Sequence, residues 1–407
     1  MMRMRSKCRK LMAASRMVEE NKSNRTDRTY FMLKLMCVCG ARPNFMKIAP
    51  LVDAFAKTGR IETILVHTGQ HYDEKMSKLF FTDLGIPEPD INLEVGSGSH
   101  ASQTAEIIRR FEPVVLQHRP DWVVVVGDVN STIACALVAC KLGIKVAHVE
   151  AGLRSFDRTM PEEINRLLTD SISDLLLVSE PSGVENLKRE GVADEKVHFV
   201  GNVMIDTLMR HRARADQSKI LEAMTLERTR YAVVTLHRPS NVDDPATLGS
   251  ILGAFEQIAR EMAIVFPMHP RTRKNIGAMD LEKRMTAISG LTTPEPLGYL
   301  DFLKLMADSA IVLTDSGGVQ EETTILGVPC LTLRLNTERP VTITEGTNRL
   351  TSPETGAIVA AYRDQLARFR GRDSGDAKRP ALWDGNAAER IAQVFLNISR
   401  IRPIGPI

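Results

Sequence analysis

The chain has 407 residues, 43% of them hydrophobic and 25% charged, enough to bury a full core and to build two α/β domains with a cleft between them. A formal net charge of +3 is too small for a nucleic-acid surface or a polybasic membrane patch, and no apolar run approaches the roughly 20 residues that span a bilayer. Six cysteines are scattered without a disulfide framework, so reduced thiols in a cytoplasmic protein are expected.

Residues 1–31 are basic and lack an apolar h-region, which excludes a secretory signal. They read as a disordered basic arm, a transit-like peptide or an over-extended start before Met32. Glu19, Glu20 and Asp27 argue against the transit peptide. In each case the leader is an appendage without a catalytic role. The run MLKLMCVCG then ends in Gly40, and FMKIAPLVDAFAKT follows with helical apolar spacing, which makes a β-loop-α unit.

Further strand-like runs stand at 61–67, 122–127, 145–149, 175–178 and 197–200, with helical stretches between most of them. A second series after Gly201-Asn202 stands at 231–236, 263–267, 291–293, 311–314 and 330–333. Strands alternating with helices imply an α/β fold with two mainly parallel, doubly wound sheets. Residues 204–230 predict a helical crossover between the halves, 370–379 a surface loop, and 387–401 a final amphipathic helix.

In such sheets, ligands sit beyond the carboxyl ends of the strands. The first strand opens into Gly40, Arg42 and Lys47, where a helix start and two cations can face an anion. Asp128 follows WVVVV and Gly127, and Glu150 follows KVAHV, so two carboxylates occupy strand tips. Glu162 and Glu163 begin a helix, a place where a carboxylate also serves merely to stabilise the dipole. Grouped carboxylates raise one another's proton affinity and act as acid and base.

In the second half, strand ends deliver His237-Arg238 and then His269 with Arg271. The sharpest local signal is Asp315-Ser316-Gly317-Gly318 running into a helix with Gln320, Glu321 and Glu322. Gly-Gly lets backbone amides approach phosphate, and a glutamate one turn on suits ribose hydroxyls. Gly96-Ser97-Gly98-Ser99-His100 follows no predicted strand and lacks the third glycine of the nicotinamide fingerprint. There is no Walker lysine motif, and the histidines lack zinc-ligand spacing, so neither a redox cofactor nor a metal is expected.

Taken in order, GARPNFMKIAPL, HTGQHYDEKM, VGDVNST, HVEAGLRSFDRTMPEEINR, GNVMIDTL, HRPSNVD, DSGGVQEE and NTERP resemble the non-hydrolysing UDP-N-acetylglucosamine 2-epimerase family, over roughly residues 32–349. The resemblance implies two Rossmann-like domains in a glycosyltransferase-B-like arrangement. The first would span 32–203, with the C-terminal helix of 385–407 returning to it, and the second, UDP-binding one would span 204–384. Asp128, Glu150, Glu162 and His237 fall on the family's catalytic positions. Arg42, Lys47, His269, Ser316, Gly317, Glu322 and Arg339 fall on positions that hold UDP, with Phe302 near the uracil. Gln70, His71, Arg154, Arg271 and Gly318 complete the expected substrate-binding set. Ala41 and Asn44 stand where Thr and Glu are common, and HRPSN stands where members regulated by their own substrate carry HRREN.

The implied partners are a UDP-sugar and a second copy of the chain in a homodimer, with no nucleic acid and no membrane. The C2 proton of an N-acetylglucosaminyl group has no neighbouring carbonyl, so C2 needs activation before it can be inverted. Elimination of UDP across C1–C2 supplies that with only a base and an anion site. The rival readings are a hydrolysing 2-epimerase, a glycosyltransferase of the same fold and a silent nucleotide-sugar sensor.

Overall fold

The structure, a computed structural model, describes residues 32–70, 85, 87–370 and 379–400. The basic leader, His71, residues 371–378 of the expected surface loop and the last seven positions lie outside the described residues.

The first half builds one sheet from β1 (Leu33–Cys39), β2 (Ile61–His67), β3 (Ile91–Asn92), β4 (Trp122–Val126), β5 (Lys145–Ala151), β6 (Leu175–Val178) and β7 (Val197–Phe199). Its order is β3-β2-β1-β4-β5-β6-β7, and every pairing is parallel. Helices α1 (Arg42–Lys57), α2 (His100–His118), α3 (Asn130–Lys141), α4 (Pro161–Ile172) and α5 (Pro181–Arg189) connect the strands. Because helices cover both faces, the central strands read as continuous apolar runs, and all of WVVVV in β4 is buried.

Helix α6 (Val203–Ala215) crosses to the second half. There β8 (Tyr231–Thr235), β9 (Ala263–Val265), β10 (Leu291–Thr292), β11 (Ile311–Thr314), β12 (Cys330–Thr332) and β13 (Asn348–Leu350) form a parallel sheet in the order β10-β9-β8-β11-β12-β13. Its main helices are α7 (Pro245–Ile258), α8 (Pro270–Ala278), α9 (Tyr299–Ala307), α10 (Gly317–Leu326) and α11 (Thr355–Phe369). The strand order reverses between β1 and β4 in one sheet and between β8 and β11 in the other. Ligand crevices open at such points.

The last helix, α12 (Ala387–Arg400), returns to the first sheet: the Phe395 ring meets Phe55 and Trp122 edge-on, at 5.7 and 5.6 Å. Where the chain comes back, Asp206 of α6 accepts hydrogen bonds from the backbone N–H groups of Ala387 (3.1 Å) and Ala388 (2.7 Å). Gly201 lies so close to Leu382 that an added Cβ would sit 2.1 Å from its carbonyl oxygen. No described helix is long and apolar enough to cross a membrane.

Three details differ from the sequence expectations. The edge strands β3 and β13 have two and three residues, too short to show a period. The crossover helix stops at Ala215, and only the turn Ile220–Ala223 follows it. The Gly96–Gly98 stretch does follow a strand, β3, and it leads to Ser99, whose side chain caps α2 by accepting from the Ser102 N–H.

Candidate active site

Glu150, near the end of β5, is where the two halves meet. The β5–β6 register shifts between Val149 and Ala151, and Glu150 takes φ +70°, a left-handed conformation that side chains other than glycine avoid. Such backbone persists only where its surroundings over-determine it. Here those surroundings are two cations: Lys47 of α1 donates to Oε2, and Nη2 of Arg339, from the second half, donates to Oε1 at 3.0 Å. All three residues are buried. A strand-tip carboxylate of the first sheet is thus paired with a guanidinium from a loop of the second half.

The next turn along carries Asp128. Gly127 has φ +67°, which calls for glycine, and a Cβ there would crowd the Lys47–Glu150 pair, 2.9 Å from Lys47 Nζ and 3.3 Å from Glu150 Oε2. Asp128 is half-buried and paired with Arg166 of α4. Burial works against its charge, but Arg166, with Lys47 and Arg339 behind it, holds the carboxyl below the usual carboxylate range. Glu162, half-buried in the first turn of α4, makes no side-chain hydrogen bond or ion pair among the described residues. Its neighbour Glu163 is structural: it accepts from the N–H groups of Ser155 (3.0 Å) and Phe156 (2.9 Å) and pairs with Arg166 at 2.7 Å.

In the second half, Nδ1 of His237 lies 2.9 Å from Asp315 Oδ1, and the His237 and Arg238 N–H groups donate to Oδ2 of the same residue at 3.0 and 2.9 Å. Burial again opposes the charge, yet these donors bring the Asp315 carboxyl down to about 2. The His269 ring lies 5.7 Å from that of His237, and its Nδ1 caps α8 by accepting from the Arg271 N–H at 3.2 Å. The exposed Arg271 side chain donates from Nε to Asp243 at 2.9 Å. Ser316 stands at the start of α10, with its N–H directed to Thr314 Oγ1 at 3.0 Å.

Gly317 has a task that sequence reading did not supply. A Cβ there would meet Glu338 Oε1 at 2.7 Å and Arg339 Nη1 at 3.0 Å, so the glycine makes room for the ion cluster; at Gly318 it would meet only Met204, at 3.4 Å. Glu322, expected near ribose, is buried and accepts from the Tyr299 hydroxyl at 3.0 Å. Burial pushes its carboxyl up to about 8. Phe302 is half-buried on α9 and packs against the main core.

Lys47, Asp128, Glu150 and Arg339 are therefore brought together. Gln70 and Arg154 stand apart from them, inside the first half. Gln70 Oε1 accepts from Ser131 N (3.1 Å) and Oγ (2.7 Å), tying the β2 loop to α3. The Arg154 guanidinium is divided between Asp170 and Glu190, both at 2.7 Å, and its own neighbour's carbonyl. Arg42 begins α1, but its side chain, like all of His71, lies outside the described residues. Asn44 fits the departure noted in its loop: its Oδ1 accepts from the Ala41 N–H at 3.0 Å, and its Nδ2 donates to the Val126 carbonyl at 3.0 Å, joining the start of α1 to the end of β4.

Sequence reading missed Arg166 and Glu338. Arg166 lies one turn after Glu163 on the same helix, a spacing that signals an ion pair. Glu338 precedes Arg339, bonds its guanidinium at 2.9 Å and also holds Arg334 at 2.8 Å.

Comparison with known proteins meets this geometry directly. A family model described as UDP-N-acetylglucosamine 2-epimerase matches residues 53–396. The UDP-N-acetylglucosamine 2-epimerase of Methanocaldococcus jannaschii is 42% identical over 368 residues, covering 89% of this chain and 99% of that protein. The UDP-2,3-diacetamido-2,3-dideoxy-D-glucuronate 2-epimerase of Pseudomonas aeruginosa is 40% identical over 369 residues, covering 90% and 100%. The crystal structure of Methanocaldococcus jannaschii UDP-GlcNAc 2-epimerase in complex with UDP-GlcNAc and UDP matches with a TM-score of 0.84 at 41% identity, covering 90% of this chain and 100% of that one.

Proposed function

This chain belongs to the UDP-N-acetylglucosamine 2-epimerase family, and from that premise we propose that it interconverts UDP-N-acetylglucosamine and UDP-N-acetylmannosamine without hydrolysing them. A carboxylate removes the C2 proton while the C1–O bond breaks, so that UDP departs and C1=C2 forms in 2-acetamidoglucal. UDP then adds back to C1 as a second acid delivers a proton to the opposite face of C2.

The observation that carries this reading is the contact of Glu150 with Lys47 and Arg339 across the cleft. A diphosphate reaching those cations competes with Glu150 for them, so substrate binding itself would free the carboxylate to act as a base. Asp128, held ionised, and Glu162 complete the acid–base set. We assign it jointly, because coupled carboxylates titrate as a group. His237, with Arg42, would support the departing diphosphate, and Ser316, His269 and Phe302 the rest of UDP. A homodimer in the cytoplasm completes the proposal, and light scattering on the purified chain tests the dimer.

Running the reaction in deuterium oxide tests the chemistry: deuterium must appear at C2 of the product, and a product without it removes the mechanism. Release of free N-acetylmannosamine would instead identify a hydrolase. The 40% identity to the diacetamidoglucuronate enzyme supports one second reading, a UDP-sugar with substituents at C3 and C6. Assaying both UDP-sugars side by side separates the two.

A further inference from the structure

Beneath the cleft lies a group that the proposed reaction does not touch. His148, fully buried on β5, faces an oxygen at each ring nitrogen: Nδ1 is 2.6 Å from Asp170 Oδ1, and Nε2 is 2.8 Å from the Gly127 carbonyl oxygen. The carbonyl oxygen accepts and cannot donate. Asp170 is also an acceptor here, because its other oxygen takes the Gly152 N–H at 3.0 Å and the Arg154 guanidinium at 2.7 Å. Burial opposes a charge on Asp170, but His148 and Arg154 keep its carboxyl below the usual range. An oxygen acceptor therefore faces each ring nitrogen of His148.

Both ends of this chain of contacts reach a turn of the cleft. The Gly127 carbonyl immediately precedes Asp128, and the Gly152 N–H lies two residues beyond Glu150. Gly152 is also fixed from behind, since a Cβ there would be 2.4 Å from the Gly183 carbonyl oxygen of α5.

We propose that Arg154, Asp170 and a doubly protonated His148 are positioning residues that set the Asp128 and Glu150 turns at one mutual spacing. A charged donor on the Gly127 carbonyl bonds about twice as strongly as a neutral one, which stiffens the turn just before Asp128. Acid and base on opposite faces of one carbon need such fixed spacing, because displacement by about 1 Å costs about 100-fold in rate. The inference rests on the reading of Asp128 and Glu150 as the acid–base groups, and it gives Arg154 a structural reason for its place in the first half.

Two measurements test it. In the full-length wild-type protein labelled with nitrogen-15 histidine, one histidine must show two ring N–H signals protected from solvent exchange. Finding no histidine with both overturns the proposal, whatever the enzyme's activity. In kinetics, His148→Leu should lower kcat about 100-fold while KM and the Kd of UDP stay within about twofold, and His148→Gln, which keeps one donor for Gly127, should recover part of the loss. An unchanged kcat, or a KM that rises as much as kcat falls, also overturns it. Failure of the wild type to incorporate deuterium at C2 would sink the reaction itself and leave the two N–H signals standing, so the two failures are distinguishable.

Discussion

On either side of Arg339, acids out of full contact with water are pushed in opposite directions. Asp128, at the tip of β4, stays below the usual carboxylate range because Arg166, Lys47 and Arg339 overcome its burial. Glu321 and Glu322 of α10 are pushed by burial to about 7 and about 8. The difference is the supply of cations. Arg339 is divided among Glu150, Glu321 and Glu338, whereas Glu322 has the Tyr299 hydroxyl. Burial alone neutralises an acid, and a second or third cation reverses the outcome. The first sheet therefore presents an ionised Asp128 to the cleft, and α10 carries carboxyls that burial makes slower to lose their protons.

That contrast can be broken most severely at Glu150. Glu150→Gln keeps the shape and removes one member of the proposed acid–base set, so kcat should fall by about 1000-fold in a product assay by nuclear magnetic resonance. Loss of less than about tenfold would show that another carboxylate carries the step. Next in size is Arg339→Met, which takes a cation from three buried carboxylates at once and leaves Glu321 without one. Stability should drop by about 3–5 kcal/mol in urea unfolding, and by more at pH 8 than at pH 6, since these acids repel most when ionised. A variant as stable as the parent at both values would refute the sharing of one guanidinium.

The smallest effect sharpens the α10 side. The folded carboxyl of Glu322 holds its proton up to about 8 against an ordinary value of 4.5, so the stability it contributes is complete below 4.5 and is lost as pH rises through 8. Glu322→Gln should flatten the fall in Tm over that window without abolishing it, because Glu321 titrates in the same direction. A parallel fall in both proteins would place the proton elsewhere.

Much of this was legible because parallel strands buried on both faces read as apolar runs, and their ends name the residues of the cleft. Asp128, Glu150 and His237 were found by that rule. The rest depends on contacts between distant segments. The left-handed backbone of Glu150 has no local signature, since its cause is a register shift against β6 and cations from elsewhere in the chain. Gly317 was legible as a glycine at a helix start, but the reason for it lies at Glu338 and Arg339. Arg154 stands in the expected substrate-binding set, and only the fold places Asp170 and Glu190 around it.

The path of the chain at Asp206 and Ala387 has a mechanical consequence. A body tethered by one segment can swivel freely, but the halves here are joined by two segments laid side by side, at Gly201 with Leu382 and at Asp206 with Ala387 and Ala388. Such a seam acts like the spine of a book: it fixes the line along which the two halves are bound. Arg339 meets Glu150 with that seam behind it, so the alignment of the cleft is written into its binding edge.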